Sequence, residues 1–373
     1  MTTTTADITL RRMHVPTSLT DADAADFLEM VRVRNEIYAE ISGHEDESVT
    51  PEALLPHYQP DPDSLRYVWV IEAEGEIIGR VGVDIPQEAD SVVALWLVEI
   101  LRAWWGRGIG TTAYRLVEQT ARAHGRLTLQ SWAQHMPGDE PAIEAPTGFG
   151  RVPKDHIAHF YLRHGYTLEQ VERSSAFDLR APATRLTQLL SEATAASTDY
   201  RIVQWEAPTP PELIDGYAWM KSRMSTDVPA AALDVDEEVW DAARVARHEA
   251  RHLDASSTLQ VTAAQHVESG ILCAFNELMI PVDHTAASHQ EDTLVLKEHR
   301  GHRLGMLVKC AGLLKWRERM PLSPRVLTYN AEENRPMLDI NEALGFEPIA
   351  YVGAWKKTLT ASDSAGNSDS SGS

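Results

Sequence analysis

The chain has 373 residues, 43% of them apolar and 24% charged, with 21 glycines and 20 prolines. That composition excludes a fibrous or low-complexity chain, and at roughly 100–200 residues per domain the length predicts two domains. The net charge is −21, and residues 1–180 carry 28 acidic against 16 basic residues, leaving 27 against 18 in the remainder. Both halves therefore repel a phosphate backbone, which makes nucleic acid a poor partner; the acidity either attracts a cationic small molecule or serves only solubility.

In chain order, residues 1–6 read as a polar, frayed start, with no basic-then-apolar leader. Residues 8–41 predict a strand, a Pro-containing turn and an amphipathic helix. Residues 67–85 alternate as a hairpin turning at Glu74-Gly75. Residues 91–101 are an apolar run, read as a buried strand, followed by the glycine turn Trp104-Trp-Gly-Arg-Gly-Ile-Gly110 and a helix over 111–124. A strand at 126–133 and the segment HIAHFYLRHGY (156–166) follow. Residues 181–199, rich in Ala, Ser and Thr, predict a helical linker bearing Leu186, Leu189 and Leu190.

The same order then recurs. Residues 200–229 give strand, turn and helix, and 258–280 give a hairpin turning at Glu268–Gly270. Thr293–Leu296 form a strand, Arg300–Gly305 a turn and Met306–Arg317 a helix, and residues 325–346 complete the unit. Gly110 and Gly305 stand 195 residues apart, which marks an internal duplication. The Ser/Asp/Gly-rich stretch 361–373 predicts a disordered tail. The expected layout is one domain over 1–180, the linker over 181–199 and a second domain over 200–360.

A strand that runs through a glycine turn into a helix makes an anion site. The first helical N–H groups have no partner and the helix dipole is positive there. Glycine lets a phosphate approach the backbone. The pattern is neither GxxxxGK[ST], which excludes a P-loop nucleotidase, nor GxGxxG with an acidic residue about 20 positions on, which leaves a dinucleotide site weakly supported.

Trp105-Gly-Arg-Gly-Ile-Gly110 and Arg300-Gly-His-Arg-Leu-Gly305 resemble the [Q/R]xxGx[G/A] acetyl-CoA motif of the GNAT acyltransferase superfamily. The first departs at Trp105 and the second at Arg303, where the family has Gly. The endings HGY and LGF also agree, and the resemblance spans residues 8–179 and 200–357. It implies an α+β fold of two tandem GNAT domains, each a mixed, mainly antiparallel sheet flanked by helices. The layout is similar to actinobacterial two-domain members of the mycothiol-synthase type.

The resemblance implies acetyl transfer from acetyl-CoA to a small primary amine by direct attack in a ternary complex; the two cysteines and the polar start predict a cytoplasmic protein. The cofactor contacts it implies are Ile100, Leu101, Trp105, Gly106, Arg107, Gly108, Ile109 and Gly110 in the first copy. In the second they are Thr293, Leu294, Val295, Arg300, Gly301, His302, Arg303, Leu304, Gly305, Asn330, Asn334 and Asn341. The thiolate acid of the family falls on Tyr161, four residues before Gly165; the second copy has Asn341 there. Lys154 stands in the first copy where the second has Asn334. On this count the second copy is expected to grip CoA better.

Candidate bases are Glu99, Glu277 and Asp292, with Glu291 and His289 beside the last. Trp104, Trp105 and Trp132 are candidates for an acceptor pocket. Only two cysteines, Cys273 and Cys310, are present, both in apolar stretches, so neither a disulfide scaffold nor a covalent acetyl-thiol intermediate is expected. His248-Glu-Ala-Arg-His252 spells the zincin signature, but the helix is charged throughout and reads as solvated, and Arg247 and Arg251 oppose a dication; no metal is expected. No run of about 18 apolar residues exists to span a membrane. Two fused units could mimic a family dimer within one chain, so the expected state is a monomer or a homodimer. The competing reading is an acyl-CoA-binding or partner-binding protein in which one or both halves have lost chemistry. A third is acetylation of a peptide, which would need an open groove.

Overall fold

The computed structural model describes residues 8–136 and 141–360, so the predicted frayed start and disordered tail lie outside the described residues. The first half runs β1 (Ile8–Arg12), α1 (Ala25–Ser42), α2 (Pro51–Leu54), β2 (Ser64–Ala73), β3 (Glu76–Pro86), β4 (Val93–Ile100), α3 (Ile109–Ala123), β5 (Thr128–His135), β6 (Ala142–Glu144), β7 (Arg151–Pro153), α4 (His156–Arg163) and β8 (Thr167–Asp178). The second runs α5 (Thr184–Ala196), β9 (Tyr200–Glu206), α6 (Pro211–Asp227), α7 (Ala242–Asp254), β10 (Thr258–His266), β11 (Leu272–Ile280), β12 (Ser288–Val295), α8 (Leu304–Arg319), β13 (Arg325–Ala331), α9 (Arg335–Leu344) and β14 (Glu347–Thr358).

Twelve strands form one sheet in the order β1-β2-β3-β4-β5-β14-β8-β13-β12-β11-β10-β9. All neighbours are antiparallel except β4 with β5 and β12 with β13. The predicted hairpins are present. Glu74 and Gly75 both take positive φ, 55° and 85°, as a two-residue hairpin turn that follows the strand twist requires.

The closing strands are exchanged between the halves. β14, the last strand of the second half, pairs with β5 of the first from Tyr351↔His135 to Thr358↔Thr128. β8, the last strand of the first half, pairs with β13 of the second from Arg325↔Asp178 to Ala331↔Glu172. The two strands also pair with each other, which makes the sheet continuous. Trp355 of β14 is fully buried in the core formed by α3 and α4, stacked on Tyr161 with centroids 4.9 Å apart and planes 5° apart.

Helices cover both faces. α1 packs Phe27, Met30, Val31 and Ile37 on one face of the first half, and α3 and α4 cover the other. In the second half α6 packs Tyr217 and Met220 over one face and α8 seals the other. The helix expected between the halves forms as α5 and is built into the second core, where Leu186 and Ala193 pack with α8.

α7 corrects the expectation of a solvated helix. Its Arg247 and Arg251 pair with Asp63 and Asp61 of the first half, and Arg244 pairs with Glu88 at 3.2 Å. Glu249 is buried and accepts from the Thr209 backbone N–H and hydroxyl at 2.9 and 2.5 Å. The charges that made the segment look solvated are its bonds across the halves. Among the described residues no helix is long and apolar enough to cross a membrane.

Candidate active site

The site begins with a gap between parallel strands. β4 and β5 pair only at Val93↔Thr128, Ala94↔Leu129 and Leu95↔Gln130. Beyond Leu95 they part, while β4 stays bonded to β3 as far as Ile100. A cavity of about 260 Å³ occupies the opening. Its walls include Tyr38 of α1, Trp96 and Glu99 of β4, the turn from Trp104 to Thr111, Ser131 and Trp132 of β5, and Phe160 and Tyr161 of α4. Trp104, Trp105 and Trp132 thus meet in one place.

The turn has the form predicted for an anion cradle. Gly106 and Gly108 take φ of 74° and 79°, a conformation disfavoured for residues with a Cβ. Gly108 is the N-cap of α3 and no side chain caps the helix, so its first N–H groups are left for a ligand. Gly110 sits where a Cβ would stand 3.1 Å from Phe160, so α3 and α4 approach closely. Trp105 resolves the departure from the motif. Its indole N–H donates to the Ile100 carbonyl at 2.7 Å, and in the second half the Arg300 Nε donates to the Val295 carbonyl at 3.2 Å. Both residues tie the turn to the carbonyl five positions earlier. The Trp105 ring also stacks on His156 at 4.5 Å. Leu101 packs beside the α1 core, and the Arg107 guanidinium lies over Trp104 at 4.5 Å.

Tyr161 and Glu99 reach the cavity from opposite faces of the sheet. The Tyr161 hydroxyl lies 2.8 Å from Ser131 Oγ. Burial pushes its phenol well above the usual tyrosine range, so it stays protonated. Glu99 accepts from Arg80 Nε at 2.6 Å, and Arg80 also donates to Tyr58. Arg80 is buried, 5% exposed, so this pair is fixed in place. Sequence reading missed Arg80, Tyr38, Ser131 and Trp355. Arg80, the one cationic residue in β3 and flanked there by Ile77, Ile78, Val81 and Val83, was the available signal for the first.

The second half differs at the equivalent positions. Lys309 is fully buried and donates to Asn341 Oδ1 at 2.7 Å, and Asn341 Nδ2 donates to Asn330 at 2.7 Å. Burial pushes the Lys309 amine down to about 7. Arg303 pairs with Glu192 of α5 at 3.4 Å, Arg300 reaches the Asp227 carbonyl at 3.4 Å, and a Cβ on Gly305 would stand 2.9 Å from Ile340. Gly301 takes a positive φ as Gly106 does, His302 packs against Tyr200, and Asn334 is the uncapped N-cap of α9. Leu304 and Leu294 are core residues, Val295 packs beside the core, and Thr293 accepts from Asn276 at 3.3 Å.

The second-copy acids are spoken for as well. Glu277, buried, accepts from Tyr217 and from Lys221 at 3.2 Å, and Lys221 also holds Asp292 at 2.5 Å. Glu291 is exposed and His289 half-buried on the same strand. The cavity described above lies at the first turn. Of the groups that made the second copy attractive, Arg300 is bonded within the protein and Asn334 stands at the start of α9.

The zincin pattern is built into packing. His248 and His252 stack edge to face at 4.9 Å, and His57 of the first half meets His252 at 5.7 Å. Burial pushes His57 and His252 down to about 4. Among the described residues no group of three metal-ligating side chains converges. Both cysteines are buried, and burial pushes Cys310 up to about 12, which keeps its thiol inert.

Residues 29–149 match the acetyltransferase (GNAT) family. No curated protein matches the chain. Among solved structures, a tandem GNAT protein from the clavulanic acid biosynthesis pathway superposes with a TM-score of 0.72 at 21% identity, over 97% of this chain and 100% of its own. A GCN5-related N-acetyltransferase from Sphaerobacter thermophilus gives 0.59 at 14% identity, over 95% and 97%. The glucosamine N-acetyltransferase region of a fungal multi-domain β-N-acetylglucosaminidase gives 0.58 at 12%, over 94% and 38%. These three likenesses are likenesses of fold.

Proposed function

Starting from a chain with a GNAT acetyltransferase domain at residues 29–149 and a tandem GNAT fold over its length, we propose that the first half transfers an acetyl group from acetyl-CoA to a small primary amine. One observation carries the reading: a single cavity touches the glycine turn, a buried tyrosine hydroxyl and a fixed carboxylate. The pyrophosphate lies on the N–H groups after Gly106 and Gly108, and the thioester enters the gap between β4 and β5. The backbone of β4 beyond Leu95, freed from β5, offers N–H donors for the oxyanion. The amine enters from the side of α1, near Tyr38 and Trp132.

In the reaction the amine nitrogen attacks the thioester carbonyl, the C–S bond breaks, and the thiolate takes a proton from Tyr161. The proton lost by the amine passes to Glu99, directly or through one water. No step needs a covalent acetyl-enzyme, which suits the inert cysteines. The second half serves as scaffold: the Lys309–Asn341–Asn330 chain occupies the place of the acid, and β14 completes the first-half core. Thiol release from acetyl-CoA across a panel of primary amines tests the transfer. Calorimetry tests the division of labour, with one acetyl-CoA per chain expected; two equivalent sites would overturn it.

A further inference from the structure

The cavity passes through the opening between β4 and β5, and its two sides differ in chemistry. The glycine turn, Ile157, Phe160 and Tyr161 lie on the side of α3 and α4, where Trp96 and Val98 also point. Alternation along β4 sends Leu97 and Glu99 to the other side, towards α1. The Arg80 guanidinium that bonds Glu99 at 2.6 Å meets Met30 Sδ of α1 at 3.7 Å, and the Glu99 charge pushes up the Tyr38 phenol on the same helix. On β5, Ser131 bonds Tyr161 of α4, so alternation places Trp132 on the α1 side as well.

The α1 side is apolar around one charge. Ile37, Ile41, Leu97 and the ring of Trp132 line it, and Glu99 is the single carboxylate among the described residues that line the cavity. The basic residues of the lining, His156 and Arg163, belong to α4 on the opposite side. Cations near the α1 side stand behind the wall: Arg80 is held by Glu99 and Tyr58, and Arg34 lies over the Tyr38 ring at 3.7 Å and donates to Asn35 at 2.9 Å. The Trp132 indole N–H donates to Glu172 at 2.9 Å, and the Gln134 amide at the end of this wall finds the Met136 thioether at 4.0 Å. An ammonium entering here meets Glu99 and aromatic faces. A carboxylate would instead face Glu99 with no lining cation on that side to receive it, and hydroxyl groups or a second ammonium would lose water without gaining partners. A flat apolar body gains contact with the rings of Trp132 and Tyr38.

Resting on the transfer reading above, we propose that the acceptor is a primary monoamine on an apolar, aromatic body, without a carboxylate or a second charge. Its amine lies at Glu99 and its ring between Trp132 and the Ile37–Ile41 stretch of α1. The wall thereby selects by what it lacks: a single anion accepts a single ammonium, and the rest of the surface rewards only apolar contact.

The test ranks 2-phenylethylamine, phenylalanine, ethanolamine and 1,4-diaminobutane as acceptors for the full chain and for Trp132→Ala, with a thermal melt to check that the variant is folded. Phenylethylamine is expected to exceed each of the others at least tenfold in kcat/KM, since one buried methylene is already worth about 10-fold or more. Phenylalanine carries the same ring and isolates the effect of a carboxylate. In Trp132→Ala the advantage of phenylethylamine over ethanolamine is expected to fall at least fivefold, through KM for the amine and not through KM for acetyl-CoA. Equal or better use of any of the three polar amines by the parent, or an equal loss for phenylethylamine and ethanolamine in the variant, overturns the proposal. Where the variant does not fold, the parent ranking decides by itself. Calorimetric titration of 2-phenylethylamine into the protein, with and without CoA, separates this from the transfer reading. Binding that weakens in Trp132→Ala sustains the apolar acceptor pocket even where no amine is acetylated, and absence of binding to the parent overturns it.

Discussion

Replacing Tyr161 by phenylalanine isolates one hydroxyl. The ring keeps its stack on Trp355 and its edge contact with Tyr166, and only the 2.8 Å bond to Ser131 Oγ is lost. A buried neutral hydrogen bond contributes about 0.5–1.5 kcal/mol, so the variant should remain folded with a modest loss in denaturant midpoint. Because burial holds the phenol protonated, the hydroxyl arrives at the reaction with its proton in place. Removing a general acid costs ~10²–10⁴-fold, here in kcat for thiol release at saturating acetyl-CoA. Affinity for acetyl-CoA, measured by calorimetry, should be unchanged, because the turn is untouched. The deficit should shrink with a donor whose thiol is more acidic and needs less help to leave. A kcat within threefold of the parent, in a folded protein with normal acetyl-CoA affinity, would refute the acid role of Tyr161.

Three further outcomes are expected. Gly108→Ala places a Cβ at φ 79°, which costs about 1–2 kcal/mol of backbone strain but meets no protein atom within 4 Å; the loss should appear as at least a tenfold rise in KM for acetyl-CoA, and an unchanged KM would remove the turn from the cofactor site. Trp355→Ala should lower unfolding free energy by about 3–5 kcal/mol and damage the first-half site, although residue 355 is nearly 200 positions from Tyr161; equilibrium denaturation followed at both halves checks it. Acid should weaken the seam at α7. His252 is 6% exposed and its imidazole is pushed down to about 4 by burial, so the unfolded chain binds the extra proton first as pH falls below about 6.5. Stability should be complete above pH 6.5 and decline towards pH 4, by at most about 3 kcal/mol for this residue. His252→Gln should flatten that decline in pH-dependent melts, and a flat parent profile over the same range would contradict the argument.

Much of the fold was legible because it rests on local rules. Hairpin turns demand positive φ at Glu74 and Gly75, and glycine-bearing turns open helices at Gly108 and before Leu304. The spacing from Tyr161 to Gly165 is equally a property of the chain. Other features depend on partners that sequence order does not name. Antiparallel ladders are made by backbone groups that are the same in every residue, so nothing in β14 declares that it will pair with β5 rather than with β13. The charges on α7 and on Arg300 and Arg303 looked free because their partners, Asp61, Asp63, Asp227 and Glu192, lie 70 to 190 positions away. What the amino-acid order determined alone was two copies of a strand, turn and helix able to cradle an anion. Tertiary packing decided which strands close each core and what the second copy's Asn341 bonds to, because a buried lysine on Asn341 and a tryptophan delivered by the other half are long-range contacts that only the folded chain brings together.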